Sequence, residues 1–192
     1  MKPVVLSPAG AAFALALLAA APSLAQQVVR VAPFDSIELE GGGHVIVKHG
    51  DVQQVRLIKG STAFTRFVVD EPRKLRIQAC NSDCPPHYNL EVEITTRGVD
   101  ALGVSGGGAI DSTGGFPAPR KLSLAVQGGG TIDARAMDAD RATAAVDGGG
   151  DIRVRADGKL TAAIDGGGNI QYWGNARVTQ AIDGGGKVER GD

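Results

Sequence analysis

Three aspartates recur at a constant interval. Asp147, Asp165 and Asp183 are 18 residues apart, and each immediately precedes a Gly-Gly-Gly triplet. A chain that coils once per interval would stack these carboxylates about 4.8 Å apart, where neighbours repel by about 0.9 kcal/mol even at the dielectric of water. A hard cation such as Ca²⁺ would relieve that repulsion, and Asp151 and Asn169, just past their triplets, would offer further oxygen ligands. Two facts stand against it. Asp favours turns without any ligand. The calcium-binding nonapeptide G-G-x-G-x-D-x-U-x is also not matched, since Asp151 and Ile152 follow Gly148-Gly149-Gly150 directly. Calcium is therefore a weak candidate at Asp147, Asp165 and Asp183, and no cofactor is expected.

Other residue types with chemical potential are few. Gly103-Val104-Ser105-Gly106-Gly107 fits G-x-S-x-G, but a nucleophile elbow needs a helix after the Ser and a late His. Here a strand pattern follows, and His44, His49 and His87 all lie upstream. The expectation is a repeat corner. Cys80 and Cys84 are the only cysteines, close together in a turn-rich stretch, and an exported chain would join them as a disulfide. With His87 they also spell C-x₃-C-x₂-H, a ligand set too small for structural zinc. Tyr172-Trp173 is the only aromatic pair. Tyr172 falls in an inward register, so Trp173 is expected to point outward, where it would stack on a sugar ring or touch a partner. Trp173 and the three aspartates are the candidate ligand-binding residues. A glycosidase would need two carboxyls set apart by environment, and nothing in the spacing distinguishes one Asp from the next. The terminal Arg190-Gly191-Asp192 tripeptide carries no weight.

The elements that would position these residues follow from the repeat. Triplets begin at Gly41, Gly106, Gly128, Gly148, Gly166 and Gly184. Two residues before each stands Leu39, Val104, Val126, Val146, Ile164 or Ile182; four after stands Val45, Ile110, Ile132, Ile152, Ile170 or Val188. Between them apolar and polar residues alternate, as in Leu122-Leu124-Val126, so each copy reads as strand, glycine corner, strand. Repeats of this size cannot bury their own apolar face and must stack, with equivalent strands pairing in parallel. The fold expected is all-β: a single-domain parallel β-solenoid with Gly-Gly-Gly corners.

The ends differ from the middle. Lys2, the apolar run Ala9–Ala21 and Ser23-Leu24-Ala25 mark residues 1–25 as a cleaved signal peptide, which predicts export to the periplasm, the cell surface or beyond. Residues 26–99 alternate like strands without the short period and are expected to form an irregular N-terminal β cap, continuous with regular rungs over 100–192. Lys187, Glu189, Arg190 and Asp192 put charge on the last strand, which discourages edge-to-edge polymerisation. The net charge of −1 gives no electrostatic reason for a nucleic-acid partner, and no membrane span is expected in the exported chain.

The stretches V-A-P-F-D-S-I-E-L-E-G (Val31–Gly41), L-R-I (Leu75–Ile77), L-G-V-S-G-G-G-A-I (Leu102–Ile110) and the later G-G-G-x-[IV] repeats resemble the head GIN domain family, described as heads of autotransporter adhesins. That family more often has Gly-Ser-Gly at its corners, whereas the middle residue here is Gly. The resemblance implies a right-handed β-helix-like fold in an envelope protein and supplies no catalytic residues. The reading is a non-catalytic binding or adhesion-like module for a glycan, a cell-wall component or a protein. The alternatives are a carbohydrate-active β-helix enzyme and a purely structural periplasmic protein.

Overall fold

The computed structural model of the chain describes residues 26–81 and 83–192. The expected signal peptide lies outside the described residues. Among those residues every regular element is a strand, and no helix is long and apolar enough to cross a membrane. In chain order the strands are β1 (Gln27–Val29), β2 (Ser36–Glu40), β3 (His44–His49), β4 (Gln54–Lys59) and β5 (Arg66–Asp70). Next come β6 (Lys74–Gln78), β7 (Glu91–Thr96), β8 (Ala101–Gly106), β9 (Ala109–Thr113) and β10 (Lys121–Gly128). The last are β11 (Thr131–Gly148), β12 (Asp151–Gly166), β13 (Asn169–Trp173), β14 (Arg177–Asp183) and β15 (Lys187–Arg190).

The strands form two walls. One runs β5-β6-β2-β8-β10 and continues through the second halves of β11 and β12 to β14. The other runs β1-β4-β7-β3-β9 and continues through the first halves of β11 and β12 to β13 and β15. Glycine triplets join the walls on one side; the long strands β11 and β12 bend between them on the other. From β2 and β3 onward the pairing is parallel and keeps the repeat in register. Leu39, Val104, Val126, Val146, Ile164 and Ile182 are successive partners, as are Val45, Ile110, Ile132, Ile152, Ile170 and Val188. The two aliphatic columns legible in the sequence are thus physical columns, and all but Ile182 and Val188 are buried between the walls. Tyr172 is half-buried against the same core, in the column of Val154 and Ala134.

The corners show why two of each three glycines are needed. Gly148 has φ +114°, and a Cβ there would stand 2.7 Å from the Gly128 carbonyl oxygen below it. Gly150 packs against Val126 and lies over the Gly130 carbonyl, leaving no room for a side chain. The middle residue, Gly149, has nothing within 4 Å of a built Cβ. Each corner is also tied to the one beneath: Gly149 N–H donates to Gly128 O at 2.9 Å and Asp151 N–H to Gly130 O at 3.0 Å. Left-handed backbone and rung-to-rung contact, both closed to residues with Cβ, fix the first and third positions. A serine at the middle position would therefore fit as well as glycine does.

The N-terminal part departs from an all-parallel stack. β1 pairs antiparallel with β4, β4 with β7, and β5 with β6. Rung order also departs from chain order. β2 and β3 form a regular rung with Gly41–Gly43 as its corner, whereas the later strands β6 and β7 pair beneath them. The chain therefore begins one rung up, returns to lay β6 and β7 underneath, and only then climbs. Antiparallel β1, β4 and β5 cover that end of the stack, with β1 and β5 as its edge strands.

The lowest corner, residues 79–90, replaces the glycine triplet with a long loop. Ala79 N–H donates to Glu40 O, and Leu90 O accepts from His44 N–H, so the loop occupies the corner position under Gly41–Gly43. Cys80 and Cys84 form the expected disulfide within it. The C-x₃-C-x₂-H fragment consequently offers no thiolates to a metal.

Candidate ligand-binding face

Alternation buries one side chain and exposes the next, so the parallel register that builds the core also builds the outer surface. On the wall ending in β14, four outward columns result. The first is Lys121, Arg141, Lys159 and Arg177. The second is Ser36, Ala101, Ser123, Thr143, Thr161 and Thr179. The third is Glu38, Gly103, Ala125, Ala145, Ala163 and Ala181, and the fourth Glu40, Ser105, Gln127, Asp147, Asp165 and Asp183. A floor of Gly and Ala is thus flanked by hydroxyls and a cation ladder on one side and by carboxylates on the other. Hydroxyl and carboxylate columns stand four residues apart along the strands, about 13 Å, and rungs repeat about every 4.8 Å.

The face is not featureless. A depression of about 330 Å³ lies over Gly103, Ala125 and Ala145, bordered by Ser36, Glu38 and Ser123. A second, of about 280 Å³, separates Lys121, Arg141 and Lys159 from Ser123, Thr143 and Thr161. At the β6 end the charges are matched: Lys74 Nζ meets Glu38 at 2.6 Å, and Arg76 meets Asp70 at 2.6 Å and Glu40 at 3.7 Å. Toward β14 that pairing stops. Among the described residues Lys121, Lys159, Arg177, Asp147, Asp165 and Asp183 enter no salt bridge, and Arg141 meets only its neighbour Asp140, at 3.6 Å.

The expected aspartate column is therefore in register, with Asp147 beside Asp165 and Asp165 beside Asp183. Among the described residues no three His, Cys, Asp or Glu side chains converge on a point where a cation would sit. Asp151 and Asn169 do not join the column, because they belong to the other wall, across the corner. Ser105 ends β8 and is followed by a glycine corner and β9, and its carbonyl accepts from Gly41 N–H at 2.7 Å. It has a structural place and no elbow.

Trp173 is not on this face. It lies on β13 at the bend, half-buried, with the Arg135 guanidinium 5.0 Å from its ring centroid, Gly191 against the indole, and Nε1–H donated to Asp192 O at 3.0 Å. Spacing alone gave no sign of this cover, which comes from the chain's last residues folding back. The same bend holds two carboxyls of opposite behaviour. Burial pushes the Asp133 carboxyl up, but the Arg135 guanidinium and backbone N–H, bonded to it at 2.6–3.1 Å, outweigh that and hold it below the usual carboxylate range. Burial and the adjacent Asp157 carboxyl push Asp138 above it.

The described residues thus form an all-β stack, parallel from β2 and β3 onward, whose outer walls repeat the same side-chain columns. Residues 118–176 match the family model described as "Putative auto-transporter adhesin, head GIN domain", the resemblance carried by the corner repeats. Among solved structures, one described as "a putative adhesin" from Bacteroides fragilis NCTC 9343 aligns over 88% of this chain and 98% of its own, at 16% identity and a TM-score of 0.55. A "putative adhesin" from Parabacteroides merdae ATCC 43184 aligns over 88% and 96%, at 15% identity and a TM-score of 0.45. Among curated proteins none matches. At such identities the first structure speaks for the fold, and for nothing finer.

Proposed function

We propose that this protein is an exported, non-catalytic, adhesion-like module: a right-handed coil whose binding surface is the flat wall described above. The observation that supports it is the register of that wall. Hydroxyl, small-residue and charged columns repeat at the rung spacing, so a linear polymer lying along the coil axis would meet the same contacts again and again. A glycan or cell-wall strand has that periodic hydroxyl and acidic chemistry, and the cation ladder, in which Lys121, Lys159 and Arg177 enter no salt bridge among the described residues, would take its acidic groups. The Ala and Gly floor lets a backbone or sugar ring approach closely.

The test is a screen of the purified protein on an array of glycans and cell-wall fragments, with Ca²⁺ or with EDTA. Binding is expected to be indifferent to EDTA, abolished by Ala145→Trp, which fills the floor, and retained by Trp173→Ala. Loss with Trp173→Ala and retention with Ala145→Trp would move the site to the bend and overturn this reading. The enzyme alternative would centre on Asp138, whose carboxyl is pushed above the ordinary range by burial and the adjacent Asp157. It stands only if Asp138→Asn or Asp157→Asn abolishes product release from a bound glycan.

A further inference from the structure

The stack has open edges, and one of them is not protected. At the far end, among the described residues, β14 pairs only with β12 and β15 only with β13. β15 reads Lys187-Val188-Glu189-Arg190, three charges in four residues, the pattern that guards an edge. β14 reads Arg177-Val178-Thr179-Gln180-Ala181-Ile182-Asp183, with charge only at its two ends and of opposite sign. Ile182 is 40% exposed, although its column partners are buried.

The backbone of β14 is also poised at this edge. Ser123 N–H donates back to Asp100 O, and Ser105 O accepts from Gly41 N–H on the rung below. The column of Ser123 and that of Ser105 thus turn their backbone groups toward the start of the stack. By register Thr179, Ala181 and Asp183 do the same toward β12. Val178, Gln180 and Ile182 therefore aim their N–H and C=O groups outward, where no strand among the described residues receives them.

The sequence of β14 complements itself when reversed. Laid antiparallel about Gln180, a second copy places Val178 opposite Ile182, Thr179 opposite Ala181, and Arg177 opposite Asp183. The outward-aimed backbone groups then meet in hydrogen-bonded pairs, and the ion pairs fall at the narrow positions where side chains stand closest. The two apolar pairs continue the core across the junction, and the Gln180 amides meet each other. Within one chain the charges sit badly: Arg177 lies beside Lys159, and Asp183 beside Asp165. A reversed copy sets the cation ladder of each chain against the carboxylate ladder of the other. β5, at the opposite end, has an Arg66…Asp70 pattern too, but Asp70 is already held by Arg76 at 2.6 Å.

We infer that the partner of the β14 edge is a second copy of this chain, joined through antiparallel β14–β14 pairing into a two-fold dimer. Such an isologous contact uses the same edge on both copies and so closes, leaving no route to a filament. The proposal is independent of what the flat wall binds.

Sedimentation equilibrium of the purified protein tests it. The wild type is expected to be dimeric, with Arg177→Asp and Asp183→Arg each monomeric at the same concentration and each retaining the wild-type β circular dichroism. Mixing the two monomeric variants is expected to restore a dimer, because one chain then offers only Asp and the other only Arg at the paired positions. The double reversal Arg177→Asp/Asp183→Arg is expected to dimerise alone. Gln180→Pro, which removes an outward N–H without touching the β12 ladder, serves if a charge variant fails to fold, and is expected to be monomeric. A monomeric wild type, growth beyond the dimer, dimers insensitive to the single reversals, or no rescue on mixing would each overturn the inference.

Discussion

At the scale of the residue, the corners and the bend make the sharpest demands. Gly148→Ala or Gly150→Ala drives a Cβ into the rung below, and at Gly148 also forces a positive φ, so either is expected to lower stability by about 1–3 kcal/mol. Gly149→Ser, into open space, is expected to change it by less than about 0.5 kcal/mol in a urea titration. The bend gives a pH signature. Because the Asp133 carboxyl is held below its ordinary range, its contribution is present above roughly pH 4 and is lost as the pH falls further. Asp138 is held above that range, so its charge opposes folding at neutral pH and ceases to do so in acid. Asp138→Asn is therefore expected to raise Tm at pH 7 and to lose that advantage below about pH 4, while Asp133→Asn lowers Tm at pH 7. Thermal melts of the two variants across pH would show curves that approach the wild type from opposite sides.

At the scale of the element, the disulfide closes a short loop that stands in for a corner. Closing a loop of about five residues removes chain entropy worth about 2 kcal/mol. Cys80→Ala/Cys84→Ala is thus expected to lower unfolding free energy by roughly that amount and to loosen first the loop 79–90 against Gly41–Gly43. Amide exchange at Ala79, under Glu40, would report it. The regular rungs above should be spared, because each touches only its neighbours.

At the scale of the whole molecule, stability is a sum over rungs and their contacts. Rungs with neighbours on both sides are buried on both sides, whereas β14 and β15 leave Val178, Ile182 and Val188 partly exposed. Hydrogen exchange of Arg177→Asp, whose β14 edge has no mate, is expected to show protection highest in β10–β12 and falling toward β14 and β15. Uniform protection along the stack would contradict a nearest-neighbour account.

The amino-acid sequence alone determined what rests on short-range chemistry. Triplets of glycine dictated corners, strict alternation dictated which side chains face inward, and equal spacing placed Ile132, Ile152 and Ile170 in one column and Asp147, Asp165 and Asp183 in another. Backbone conformation and strand period are local properties, so they can be read locally. Tertiary structure decided the rest. It placed β6 and β7 beneath β2 and β3, turned β1, β4 and β5 antiparallel, and folded Gly191 and Asp192 back over Trp173. Each of these depends on contacts between residues far apart in the chain, where several pairings satisfy the same alternation and only the closing of the core selects among them. The flat wall belongs to both: its columns were written in the spacing, but their number, and the mismatch of charge left at β14, emerged only once the rungs were stacked.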